Sequence, residues 1–249
     1  MSLSIGTSGD AGDTVFECCV LSELPDGPHA MLVQQDYLTA SGKQPEAFYN
    51  LMKNLVMAQP YIKEFRLEQP GDAIWWKGGG FRTMGMHQSS RTLLASHVDH
   101  LVKTTGMGAN IKGKKKWLHV TPNAEAVGRI IINRTARYNN HSFPWDTILK
   151  HYNQRLLFVG LQHEHERFVS TFGQVEFRPC SDLLEVAELI AGSEMFIGNQ
   201  SSANAIAEGL KHNSIQETFP ALPDCIFIRP NAQHCYDGNC VLPDIAGSG

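Results

Sequence analysis

"SDLLEVAELIAGSEMFIGNQSSANAIAEGL", residues 181–210, decides the fold. Leu183, Val186, Ala187 and Ile190 recur at helical spacing between Ser181, suited to cap a helix start, and Gly192, suited to end one. "MFIGN" (195–199) is then apolar on successive positions, as in a strand buried on both faces, and passes through Gly198 and Asn199 into a second helical stretch headed by Ser201 or Ser202. Helix, buried strand and helix in succession is the unit of a doubly wound parallel sheet.

Working outward, "GRIIIN" (128–133) and "RLLFVG" (155–160) read as further buried strands, and "LQHEHERF" (161–168) as the start of a surface helix. The N-terminal half opens on "IGTSGDAGDTVFECCVLSEL" (5–24): a short strand around Leu3–Thr7, a tight loop marked by Gly6, Gly9 and Gly12, and a helix with Asp13 as its N-cap. "AMLVQ" (30–34) predicts a strand, "PEAFYNLMKNLVMA" (45–58) an amphipathic helix and "YIKEFRLE" (61–68) another strand. In "DAIWWKGGGFR" (72–82), Trp75 and Trp76 alternate across a strand so that one is core, and Lys77 with three glycines predicts a flexible edge. The expected architecture is α/β: two Rossmann-like domains facing a cleft, residues 1–126 and 127–249, joined within 104–128.

Composition bounds the function. Lys+Arg 21 against Asp+Glu 25 gives a net charge of −4, so nucleic acid is not an expected partner. The lysine run in "IKGKKKW" (111–117) reads as a solvated segment or as a lure for an anionic acceptor. No apolar run of about 18 residues and no basic, apolar leader is evident, so the chain is read as cytoplasmic, without a transmembrane segment. Six cysteines without a regular framework predict reduced thiols, and His234, Cys235 and Cys240 make only a weak metal pattern.

In such sheets ligands gather at the carboxyl ends of strands, where helix N-termini present unpaired N–H groups. Three segments arrive there: the opening loop with Gly9, Asp10, Gly12 and Asp13; "NRTARYNNHSFPW" (133–145) with Arg134 and Arg137; and Asn199, Gln200, Ser201, Ser202 and Asn204 at the start of the helix after "MFIGN". Arginine forks suit phosphate oxygens, which makes the last two segments a candidate diphosphate seat. The opening loop and Lys77 form a candidate acceptor side.

These segments together resemble the ADP-heptose:lipopolysaccharide heptosyltransferases, a GT-B glycosyltransferase family, of which the chain looks like a shortened, divergent member. "GDAGDTVFECCVLSEL" is similar to that family's opening loop and helix, "IIINRTARYNN" with "FPW" to its phosphate loop, and the stretch quoted at the outset to its nucleotide-sugar segment. The resemblance implies an inverting glycosyltransferase that moves a sugar from a nucleoside-diphosphate donor to a hydroxyl of a glycan or other acceptor. It makes Asp13 the base, Arg134 and Arg137 with the Ser201–Ser202 helix start the leaving-group site, and the nucleotide sugar a substrate, with no cofactor and no metal; no D-x-D occurs. The chain departs from the family's pattern at Gln200 (aspartate expected), Ser202 (glycine), Ala205 (histidine) and Asn140 (lysine). A nucleotide-sugar epimerase or hydrolase drawing acid and base from "LQHEHERF", and a binding module without turnover, stand as alternatives.

Overall fold

The computed structural model describes residues 3–25, 27–86 and 92–244. The chain divides into two compact units, one made of Met1–Val120 with Asp182–Leu184, the other of Thr121–Ser181 with Glu185–Gly249. The division falls inside the 104–128 stretch expected to join the halves, a little before residue 126.

The first unit is built on β1 (Ser4–Gly6), α1 (Ala11–Glu23), β2 (His29–Val33), α2 (Gln35–Ala40), α3 (Pro45–Met57), β3 (Ile62–Leu67), β4 (Trp76–Lys77), α4 (Gly80–Thr83) and α5 (Leu93–Thr105). Its four strands lie in the order β3-β2-β1-β4, all parallel. Because β2 lies on one side of β1 and β4 on the other, the topology reverses at the carboxyl ends of β1 and β4, which leaves a crevice there for the loops that follow. Trp76 is buried at 2% exposure and Trp75 only in part, as the alternation required.

The second unit comprises β5 (Ile130–Asn133), α6 (Trp145–Tyr152), β6 (Leu156–Gly160), α7 (Gln162–Phe172), β7 (Glu176–Pro179), α8 (Leu183–Gly192), β8 (Met195–Asn199), α9 (Ser202–Gly209), β9 (Ser214–Glu217) and β10 (Ala232–Cys235). Six parallel strands run in the order β10-β9-β8-β5-β6-β7. The reversal here lies between β5 and β8, the two strands whose trailing loops carry Arg134, Arg137 and Asn199–Ser202. Ile130, Ile132, Phe158, Ile197 and Ile215 form one side of the core with Trp145 and Phe168, whose rings meet edge to face at 5.0 Å.

One expectation is corrected at this level. Cys235 and Cys240 are joined in a disulfide, because the turn through Gly238 returns the chain to a Cα separation of 5.8 Å. His234 beside them spends its ring on Gln216 and the Phe227 backbone, so the imagined metal set is dissolved, and no cluster suited to a metal occurs among the described residues.

Candidate functional site

At the crevice of the first sheet, Gly9 at φ +72° turns the chain sharply and α1 starts at Ala11, earlier than the apolar pattern suggested. Asp10 therefore stands at the N-cap position, where its carboxylate pairs with Lys43 instead of capping. Gly12 and Asp13 fall in the first turn, so Asp13 is not the cap that the sequence predicted. It remains where a helix N-terminus favours negative charge.

Asp13 is 3% exposed, and Arg82 grips it with Nε at 3.1 Å and an Nη at 2.8 Å from the same oxygen. His97 lies beyond, its Nε2 4.0 Å from the other oxygen, on a ring packed 4.5 Å from that of Phe81. Burial alone would raise the Asp13 carboxyl; His97 and Arg82 outweigh it and hold it below the ordinary value, so the group is ionised at neutral pH.

One turn along α1 sits Glu17, fully buried, with Oε1 accepting the Ser8 amide at 2.9 Å and Oε2 without a hydrogen-bond partner. Burial, reinforced by the neighbouring Asp13 charge, pushes Glu17 well above the usual carboxylate range. The three glycines after Lys77 are close-packing elements, not the flexible edge expected: a Cβ on Gly78 would lie 2.0 Å from Glu17 Oε1, and one on Gly80 2.3 Å from the His100 ring. Lys77 itself is exposed on β4, opposite Gly6.

Glu17 has a measurable signature. Between the unfolded chain's ordinary glutamate pKa and the raised folded one, the folded protein holds the extra proton, so stability falls as pH rises through that window. Glu17→Gln, which mimics the protonated acid, should match the wild-type melting midpoint near about pH 4 and exceed it at about pH 8. Parallel midpoints at both values, followed by calorimetry, would show that Glu17 is not held protonated.

At the crevice of the second sheet most of the expected site residues prove to be engaged. Arg134 gives Nε and one Nη to Glu217 at 2.8 and 2.9 Å, so its fork is spent on a carboxylate with 0% exposure. Asn199 accepts the Thr135 amide at 3.1 Å and donates to the Arg137 carbonyl, which fixes the loop after β5 against the end of β8. Gln200 is no open reader of a ligand: Nε2 donates to the Leu222 carbonyl and Asp224, and Oε1 accepts the Phe219 amide. A carboxylate could not donate, so glutamine suits this tie to the loop after β9. Asn140, where the resemblance expects lysine, is likewise buried and bonds the carbonyls of Thr218 and Tyr236.

What stays open is narrower. Ser201 occupies the N-cap of α9, but its hydroxyl turns to Asn133 at 2.8 Å and caps nothing, leaving the first-turn N–H groups of Ser202, Ala203 and Asn204 available. Asn204 is buried in that turn and Ala205 beside it packs inward. Arg137 is exposed, with its guanidinium over the Tyr138 ring at 5.5 Å and its carbonyl held by Asn199, two residues before α9's N-cap. In the histidine-rich stretch, Glu164 Oε2 accepts the Leu161 amide, and His165 stacks on Phe177 at 4.6 Å.

Arg82, Glu17 and His97 were missed in the sequence. Glu17 had a signal, being the lone acid in the apolar run "TVFECCVL"; Arg82 and His97 reach Asp13 only through the fold.

The sequence matches no protein-family model and no curated protein. Solved structures do match. The E. coli heptosyltransferase WaaC with ADP-2-deoxy-2-fluoro heptose aligns with a TM-score of 0.52 at 13% identity, over 94% of this chain and 93% of that one. The E. coli ADP-heptose lps heptosyltransferase II aligns at 0.56 and 11% identity over 100% and 92% of the two chains. A glycosyl transferase family 9 protein from Veillonella parvula aligns at 0.55 and 10% identity over 94% and 85%. These likenesses establish the fold, two Rossmann-like units of the GT-B type. Among the described residues no helix is long and apolar enough to cross a membrane.

Proposed function

We propose that the chain is a glycosyltransferase that moves a sugar from a nucleoside-diphosphate donor to an acceptor hydroxyl with inversion, the donor seated on the second unit and the acceptor on the first. The observation that carries this reading is the pairing of an unspent arginine, Arg137, with the uncapped start of α9 at the switch point of the second sheet. A guanidinium and a row of helix N–H groups suit a diphosphate whose negative charge grows as it leaves, without need of a metal. Structures of like fold have been solved with ADP and with an ADP-sugar, which favours this donor class.

On the acceptor side Asp13 takes the proton of the attacking hydroxyl as the bond to the anomeric carbon forms and the bond to the diphosphate breaks. Its partner Arg82, whose side chain is 35% exposed, helps hold the carboxylate ionised. Gly9, Asp10 with Lys43, and Gly12 shape the loop from which Asp13 projects.

Titration calorimetry with ADP tests the donor seat. An exposed charge-assisted contact removed by Arg137→Ala should weaken binding about tenfold. Arg134→Ala should instead lower the melting midpoint, since its fork holds Glu217. ADP binding equal in wild type and Arg137→Ala would return Arg137 to the solvated surface. Incubation with nucleotide sugars and hydroxyl acceptors, followed by release of nucleoside diphosphate only when both are present, tests transfer; release without an acceptor would mark a hydrolase.

A further inference from the structure

The first unit holds a cavity of about 340 Å³ where the chain leaves all four strands of its sheet. Ser8 follows β1, Gln34, Asp36 and Tyr37 follow β2, Glu68 follows β3, and Lys77 ends β4, so the cavity sits at the carboxyl ends, where α/β sheets take ligands. Its wall includes Ser8, whose amide bonds Glu17 of α1, and Gly79, which packs against Ser8.

Several charges of the unit are paired: Arg66 holds Glu64 and Asp72, Lys43 holds Asp10, and Arg82 holds Asp13. In the cavity the side chains of Gln34, Asp36, Tyr37, Glu68 and Lys77 make no hydrogen bond or ion pair among the described residues. Grouped polar side chains without partners around a concave space are what a hydrogen-bonding ligand requires.

The sign of the charge narrows that ligand. Asp36 and Glu68 set two carboxylates against the one ammonium of Lys77. Arg82 adds no net charge, because Asp13 neutralises it. The lysine run is held elsewhere: the amides of Lys112 and Gly113 bond Glu23, at the end of α1 remote from Asp13, about 15 Å away by helical rise. Carboxylates only accept hydrogen bonds, so they receive hydroxyl or ammonium donors and repel phosphate and carboxylate.

Building on the transferase reading, we infer that this cavity selects a polyhydroxylated acceptor that is uncharged or carries an amine, and discriminates against phosphorylated or carboxylated sugars. Asp36 and Glu68 take its donors, while Gln34 and Tyr37 both donate and accept. The lysine run plays no part in acceptor choice.

Amide shifts of the full-length ¹⁵N-labelled chain test this with glucose, glucosamine and glucose 6-phosphate as probes. Glucose and glucosamine should move the amides of Ser8, Gly79 and Gly80, and glucose 6-phosphate should bind about tenfold more weakly or worse. In the Asp36→Asn, Glu68→Gln double variant, whose side chains lose no partner, that discrimination should shrink at least about threefold. Glucose 6-phosphate binding as well as glucose, cavity amides unmoved by all three sugars, or discrimination unchanged in the double variant would each overturn the inference. ADP added to the same sample, read at Arg137 and Ser202, separates the two levels: ADP shifts without sugar shifts defeat the acceptor inference alone, whereas absent ADP shifts defeat the transferase reading beneath it.

Discussion

Glu217→Ala should cost about 3–5 kcal/mol of stability. The reason is the number of donors that converge on one buried carboxylate. Oε2 accepts Arg134 Nε at 2.8 Å and Trp145 Nε1 at 2.9 Å, and Oε1 accepts the other Arg134 nitrogen at 2.9 Å and the Asn140 amide at 2.7 Å. Alanine leaves an arginine, an indole N–H and a backbone N–H without acceptors where little water reaches: Trp145 is 1% and Asn140 5% exposed. Arg134→Met should also destabilise, by leaving the carboxylate uncompensated. The double variant should lose clearly less than the sum, with a coupling of about 2 kcal/mol or more, because each single change strands the other's partner. Additive losses in urea unfolding would mean that the two act independently, and would free Arg134 for the phosphate role that the sequence suggested.

That reassignment shows where the sequence was legible. "MFIGN" became β8 at Met195–Asn199 without a shift of boundary, because a strand buried on both faces writes its burial into every position. The helix read at 181–192 appears as α8, Leu183–Gly192, and "PEAFYNLMKNLVMA" as α3, ending at Met57. The loops that carry the candidate site fall where the sequence placed them, after strands at a reversal of strand order. Not legible were short pieces with little apolar period, such as α4 and β10, and above all the partners of polar groups. Periodicity says which face of an element is buried and nothing about who meets whom across 69 residues of chain, as Arg82 meets Asp13. The four departures from the family pattern show this most clearly. Gln200 and Asn140 look in the sequence like a degraded donor site, yet in the fold each is a satisfied amide that ties the β9 end to its neighbours. Where the resemblance expects a carboxylate and an amine, both positions hold uncharged amides, while Arg137 stays exposed and the start of α9 uncapped.

On the proposed transferase reading Asp13 is the base, and Asp13→Asn should lower transfer about 10²-fold or more, since the amide cannot take a proton from the acceptor. ADP binding should remain within about twofold, because the proposed donor contacts lie in the other unit. Loss of activity alone would not prove the role: the carboxylate is buried under Arg82, and neutralising it costs about 1.5–3 kcal/mol of charge-assisted hydrogen bonding on top of any chemistry. Arg82→Met supplies the contrast. It breaks the same pair from the other side, leaves the carboxylate in place beside His97, and should destabilise to a similar degree. If Asp13 is the base, Arg82→Met retains transfer well above Asp13→Asn at equal fractions folded, and Asp13→Glu, which restores a carboxylate, recovers part of it. If Asp13 serves only to anchor Arg82, the two variants lose transfer in proportion to their loss of stability and the glutamate variant brings nothing back. Transfer rates measured well below each variant's melting midpoint, with ADP binding as the control for folding of the donor unit, distinguish the two outcomes.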